Sequence, residues 1–347
     1  MSAKHPVLPD ATRDLVRRIG DTLAKERAPA EVDVEALLTQ LAPSPPGSIA
    51  QIASEIQKTA RLWWWRSPQP RLVDLLGLRT TPGVLMTEQP SAAWLMLFHY
   101  DGRVREAALD RLPGPPTSPF LFAAIAFRLN DWAFQVRTAA ERCARRLFPQ
   151  TAPEIVAAAG LALLDREFHW SRWGDEAAAL YETLDRDDVA AHILESFRRP
   201  ANGPESRRFR YLLRFPRYEA AVQDLARTAA NPAVRAIAFT ALLNRRIEWP
   251  VGYTIQWTDK IYGEGRRVRK MEGHAFDHDI PPGALIEMGF ADRSPMIRRL
   301  AADAFTANPT GPSDPAALLA RMLEDRSPAI RMRADYMVRH GLVAATA

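Results

Sequence analysis

The chain has 347 residues, 47% hydrophobic and 25% charged, enough to bury a large core, so it is not read as disordered. Its formal net charge of +5 is a mild excess over this length, and only Lys4, Lys25, Lys58, Lys260 and Lys270 are lysines, which leaves 41 arginines. The lone Cys143 excludes an intrachain disulfide and a cysteine-cluster metal site; with no signal-like start and no run of about 18 apolar residues, the expected address is the cytoplasm and no membrane partner is expected.

Helices are expected first over 12–26 and 32–41, then a break at Pro43, Pro45, Pro46 and Gly47. Ser48 and Gln51 have capping-box spacing and open a further helix over 49–65. Its Trp63, Trp64 and Trp65 point about 100 degrees apart on a helix and cannot make one flat stacking surface, so one or two are read as core. Residues 1–89 are read as an N-terminal helical cap, with a small independent domain as the alternative.

From residue 90 one short pattern recurs: a branched apolar residue, Arg, and Ala three positions after the Arg. The copies are Val104-Arg105 with Ala108, Val136-Arg137 with Ala140, Val234-Arg235 with Ala238, Ile297-Arg298 with Ala301, and Ile330-Arg331 with Ala334. Asp101, Asp131, Asn231, Asp292 and Asp325 precede them, and each can satisfy the orphan N–H groups of a helix start. Alanine on the face of the branched residue lets a neighbouring helix approach closely. Arginine holds bidentate carboxylate pairs better than lysine, which suits a ladder of helix-end ion pairs.

Arg105 to Arg137 spans 32 residues, Arg298 to Arg331 spans 33, and Arg137 to Arg235 spans 98, about three such steps. Apolar or amphipathic segments at 92–100, 119–129, 218–229 and 316–323 supply the second helix of each pair. In the 98-residue gap, helices are expected over 154–164, 175–184, 188–198 and 205–214. Asp-x-x-Pro-x-Ile-Arg-x-x-Ala with about 32 residues per unit resembles the bacterial HEAT-like repeats also found in phycobilisome lyases, over roughly residues 90–341. The resemblance implies an all-α superhelical solenoid of HEAT-like helix pairs, 90–347, in a bacterial protein.

Trp170 and Trp173 lie where a motif has decayed, and with Asp175 they are compared with the paired tryptophans and Asp of HEAT-like alkylpurine DNA glycosylases. The bland alternative is aromatic filler at a bend between repeats.

Between Arg235 and Arg298, 63 residues stand where about 32 are due if one repeat intervenes, so about 30 are inserted, over 245–282. Alternation in Tyr253-Thr254-Ile255-Gln256-Trp257, the turn Gly263-Glu264-Gly265, and the run from Arg266 to Met271 predict a β-hairpin. Trp257 and Tyr262 beside Arg266, Arg267, Arg269 and Lys270 suit an acidic peptide or a single-stranded nucleic acid; otherwise the hairpin folds back with its rings buried. His274, Asp277 and His278 are weak metal candidates, since flanking Gly273, Pro281 and Pro282 argue for a loop with undirected ligands.

Phosphate-loop, serine-elbow and His-Glu-x-x-His motifs are absent, so no catalytic residue and no cofactor are assigned. The expected function is a scaffold that binds a protein or peptide partner on its concave face. The alternative is a nucleic-acid-binding or glycosylase-type protein.

Overall fold

A computed structural model describes residues 7–62, 81–164, 170, 172, 175–200 and 203–343. It is mostly helical, with one antiparallel hairpin and adjacent helix pairs stacked on each other. Two compact units divide at His192/Ile193. Trp63, Trp64, Trp65 and Trp173 lie outside the described residues.

The first unit holds α1 (Asp10–Ala24), α2 (Glu31–Leu41), α3 (Ile49–Thr59), α4 (Pro82–Glu88), α5 (Ala92–Met96), α6 (Gly102–Arg111), α7 (Pro119–Arg128), α8 (Phe134–Leu147), α9 (Pro153–Leu164) and α10 (Ala178–Leu184). Gly20 is what lets α1 meet the end of α3: a Cβ there would lie 2.5 Å from Ala60 Cα. Helix α3 also packs on α7, so the segment before residue 89 shares a unit with the first repeat motifs. Ser48 does not cap α3 with its side chain; it lies in a short 3-10 turn at φ −93 and ψ 4 rather than in the extended conformation a capping residue needs.

The boundary falls within α11 (Asp187–Arg198). The second unit continues with α12 (Glu205–Leu212), α13 (Pro216–Glu219), α14 (Val222–Thr228), α15 (Pro232–Asn244), β1 (Arg246–Asp259), β2 (Glu264–Ala275), α16 (Pro282–Phe290), α17 (Pro295–Ala307), α18 (Pro315–Leu323) and α19 (Pro328–Arg339). Proline opens α15 to α19, where its missing N–H costs no hydrogen bond.

The motif-bearing helices are neighbours: α6 packs on α8, α15 on α17, and α17 on α19. Their branched residues and all five motif alanines are buried. The arginines build the ladder that their type suggests. Arg105 donates from Nε and Nη2 to both oxygens of Asp131, Arg235 does the same to Asp292, and Arg298 to Asp325. In each, Nη1 donates to the backbone carbonyls five and six residues back. Arg137 reaches Glu176 instead, where the following motif has decayed.

Each leading carboxylate therefore has two tasks. It accepts the arginine of the preceding motif, and its Oδ1 accepts a backbone N–H two residues on, from Ala133, Ser294 or Ser327. These aspartates stand two residues ahead of the N-cap itself, a role taken in α17 by Ser294. One expected helix is shorter: α5 ends at Met96 rather than Tyr100, and the carbonyls of His99 and Tyr100 beyond it accept from Arg105. The segment expected as one helix over 218–229 is instead the two short helices α13 and α14.

Candidate binding surfaces

The hairpin is launched by Arg245, which ends α15 in the left-handed conformation at φ 48. A two-stranded ribbon is marginal alone, so its base is pinned. Ile247 is fully buried, Phe276 N–H donates to the Arg245 carbonyl, and His274 Nε2 lies 2.9 Å from Glu219. A bulge between Pro250 and Gly252 sets the outer register, and Pro250 costs no ladder bond at such an irregularity.

That register sorts the side chains by chemistry. Tyr253 pairs with Arg269, Ile255 with Arg267, and Trp257 with Gly265, so these share one face. Gly265 leaves room for the Trp257 ring, since a Cβ there would lie 2.9 Å from Trp257 Cε3. Arg267 stacks over Tyr253 with its guanidinium carbon 4.0 Å from the ring centroid. Lys270, Val268, Arg266 and Glu264 lie on the opposite face with Gly252, Thr254, Gln256 and Asp259.

The two faces differ in charge balance. On the second face Arg266 donates to Gln256 and Lys270 is 4.0 Å from Glu272. On the first, among the described residues, neither Arg267 nor Arg269 forms an ion pair. Near the base the first face turns toward α12 and α15, where Arg210, Arg246, Glu248 and Met271 line a small cleft. Burial lowers the Arg210 guanidinium below its ordinary range, the nearby charge of Arg269 lowers it further, and Glu248 opposes. Trp257 is 44% exposed and Tyr262, in the turn, 82%. The rings are thus not folded back onto the helices.

The other sequence candidates are placed differently. Trp170 is 7% exposed, its ring 5.8 Å from that of Phe127, so it offers no open stacking face. His274, Asp277 and His278 do not form a ligand set. His278 is buried, with Nδ1 accepting from the Ile280 N–H and Nε2 bonded to the Leu242 carbonyl; His274 is taken by Glu219, and Asp277 is solvent-exposed 3.7 Å from Arg245. No group of three or more potential metal ligands occurs among the described residues.

A second surface, in the first unit, was not singled out from sequence. Tyr100 and Trp132 are exposed on the loops that carry the ladder carbonyls and carboxylates, and Phe134 is exposed at the first position of α8. Beneath them lies a cavity of about 320 Å³ walled by Phe98, Tyr100, Phe127 and Trp132, with Arg105 and Arg128 in its lining. Asp131, 2% exposed at its side chain, accepts from Arg105 Nε at 2.9 Å and Nη2 at 2.7 Å, from Arg128 Nη1 at 2.7 Å, and from the Ala133 N–H at 3.1 Å. All four acceptor directions of the carboxylate are filled. Burial alone would raise its pKa, but the hydrogen bond from Arg105 and the charges of both arginines outweigh burial and hold it below the usual carboxylate range.

No helix among the described residues is long and apolar enough to cross a membrane. No family model matches the chain, and no curated protein or solved structure matches it either.

Proposed function

We propose that the chain is a HEAT-like repeat scaffold, a solenoid in which Arg105, Arg235 and Arg298 each clasp the leader of the next motif, and that it works by binding rather than by catalysis. The repeated arginine–aspartate geometry supports the architecture. The contact element is the first face of the hairpin, and its partner is an acidic segment of another protein. One observation carries this reading: the outer hairpin places Arg267 and Arg269 beside Tyr253, Ile255 and Trp257, while Asp259 and Glu264 lie on the other face and Glu248 meets this one only at the base, where it pairs with Arg246. A face kept clear of its own counter-charges is complementary to an anionic partner.

Single-stranded nucleic acid is the second reading, favoured by the rings of Tyr253 and Trp257 on one face of the same strand. Pull-down with the Arg267→Ala/Arg269→Ala chain and with Arg266→Ala/Lys270→Ala separates the faces. The first pair should lose the partner and the second retain it; equal retention by both would remove the proposal. Binding of a single-stranded oligonucleotide that weakens steeply with salt, and is lost with the first pair, would replace the protein partner with nucleic acid.

A further inference from the structure

The ladder contains its own comparison. Three aspartates receive a motif arginine in the same bidentate geometry, and at Asp292 and Asp325 one guanidinium meets one carboxylate. The residue three positions before each is Gly289 and Met322, both uncharged and buried. Before Asp131 that position holds Arg128, also buried, so two guanidiniums share one carboxylate and the cluster carries an unbalanced positive charge.

Such a charge is costly unless something pairs with it. Burial pulls the Arg128 guanidinium down to about 10, although Asp131 opposes this. Arg128 uses Nη1 on Asp131, and its Nε is buried with no hydrogen-bond partner. Both arginines line the cavity, whose other walls are Phe98, Tyr100, Phe127 and Trp132 together with one side of α3, where Ser54 and Gln57 add polar groups. The cavity is of the size of small-molecule sites, mostly apolar with a few polar groups converging.

We propose that this cavity binds a small anion with a planar, aromatic body, its oxyanion drawn to the unbalanced charge of Arg128 and Arg105 and its ring among Trp132, Tyr100 and Phe98. A guanidinium donates charge-assisted hydrogen bonds to a carboxylate or a phosphate. The ring would replace water over flat apolar walls. This inference is independent of the hairpin, which belongs to the other unit.

The test is ligand-observed NMR titration of the full chain with benzoate, phenyl phosphate and uncharged benzamide. At least one anion should bind saturably, and which one does so distinguishes a carboxylate from a phosphate ligand. Benzamide should bind at least about tenfold more weakly, and Arg128→Met should cost either anion about tenfold or more, as expected for loss of a charge-assisted hydrogen bond. Methionine already fills the matching position at 322, so this variant should fold; Trp132→Ala, at an exposed ring, gives a second variant that should also weaken binding. Arg142→Ala, whose pair with Asp110 is exposed, should bind as the native chain does. Failure of both anions to saturate, equal binding of benzamide, or unchanged affinity in Arg128→Met or in Trp132→Ala would overturn the proposal.

Discussion

Asp131→Asn is the most demanding test of the ladder. The substitution keeps the shape of the side chain but turns one acceptor into a donor and leaves Arg105 and Arg128 buried without a counter-charge. Four hydrogen bonds converge on this carboxylate, three from guanidinium groups. Removing one partner of a buried ion pair costs about 3–5 kcal/mol, because the surviving charge is stranded. The exposed pair Arg142–Asp110 should contribute less than about 1 kcal/mol, so Asp110→Asn serves as the control. Urea unfolding followed by circular dichroism reads both, from the transition that moves. In an Arg128→Met background one stranded charge is already gone, and Asp131→Asn should cost less there. A loss no larger than that of Asp110→Asn, or the same loss in both backgrounds, would refute the buried ladder as a source of stability.

Two further outcomes follow from the ionisation of buried groups. Asp131, Asp292 and Asp325 are held below the usual carboxylate range: at Asp131 and Asp292 burial is the largest single effect, opposed and outweighed by arginine hydrogen bonds, arginine charges and a backbone N–H together, and at Asp325 the hydrogen bond from Arg298 comes first. A depressed folded pKa gives stability that is fully present above the unfolded value, about 3.9, and lost as pH falls through the folded values. The thermal midpoint should therefore fall below about pH 4, and Asp292→Asn should flatten that fall; an unchanged slope would contradict the assignment. Burial pushes the Cys143 thiol up to about 11, so at neutral pH it should stay protonated and react with a thiol reagent only after unfolding, with rapid labelling of the native chain as the contrary result.

Local chemistry made most helices legible. Helix α7 runs Pro119–Arg128 where the sequence predicts 119–129, with Ser118 accepting from the Leu121 N–H, and α18 runs Pro315–Leu323 where it predicts 316–323. These ends are set by capping and by proline, whose physics operates within a turn of the chain. The arginine ladder was legible for a different reason: a residue that must clasp a carboxylate in two bonds leaves few substitutes, so its type survives with its spacing. The end of α5 was not legible, because the apolar run continues past it: Leu97 and Phe98 are buried although the helix ends at Met96.

The candidate surfaces mark where this kind of reading stops. Composition gathers Arg266, Arg267, Arg269 and Lys270 into one basic run, yet a strand sends alternate residues to opposite faces, and only the cross-strand register shows which pair sits beside the rings. Arg210 joins that face from α12, far away in sequence, where no motif announces it. Arg128 had a usable signal: aligning the leaders of the repeats places it opposite Gly289 and Met322, one charge in a column otherwise uncharged. A second guanidinium at this buried position leaves the ladder over-charged. That cost is what the anion proposed for the neighbouring cavity would offset.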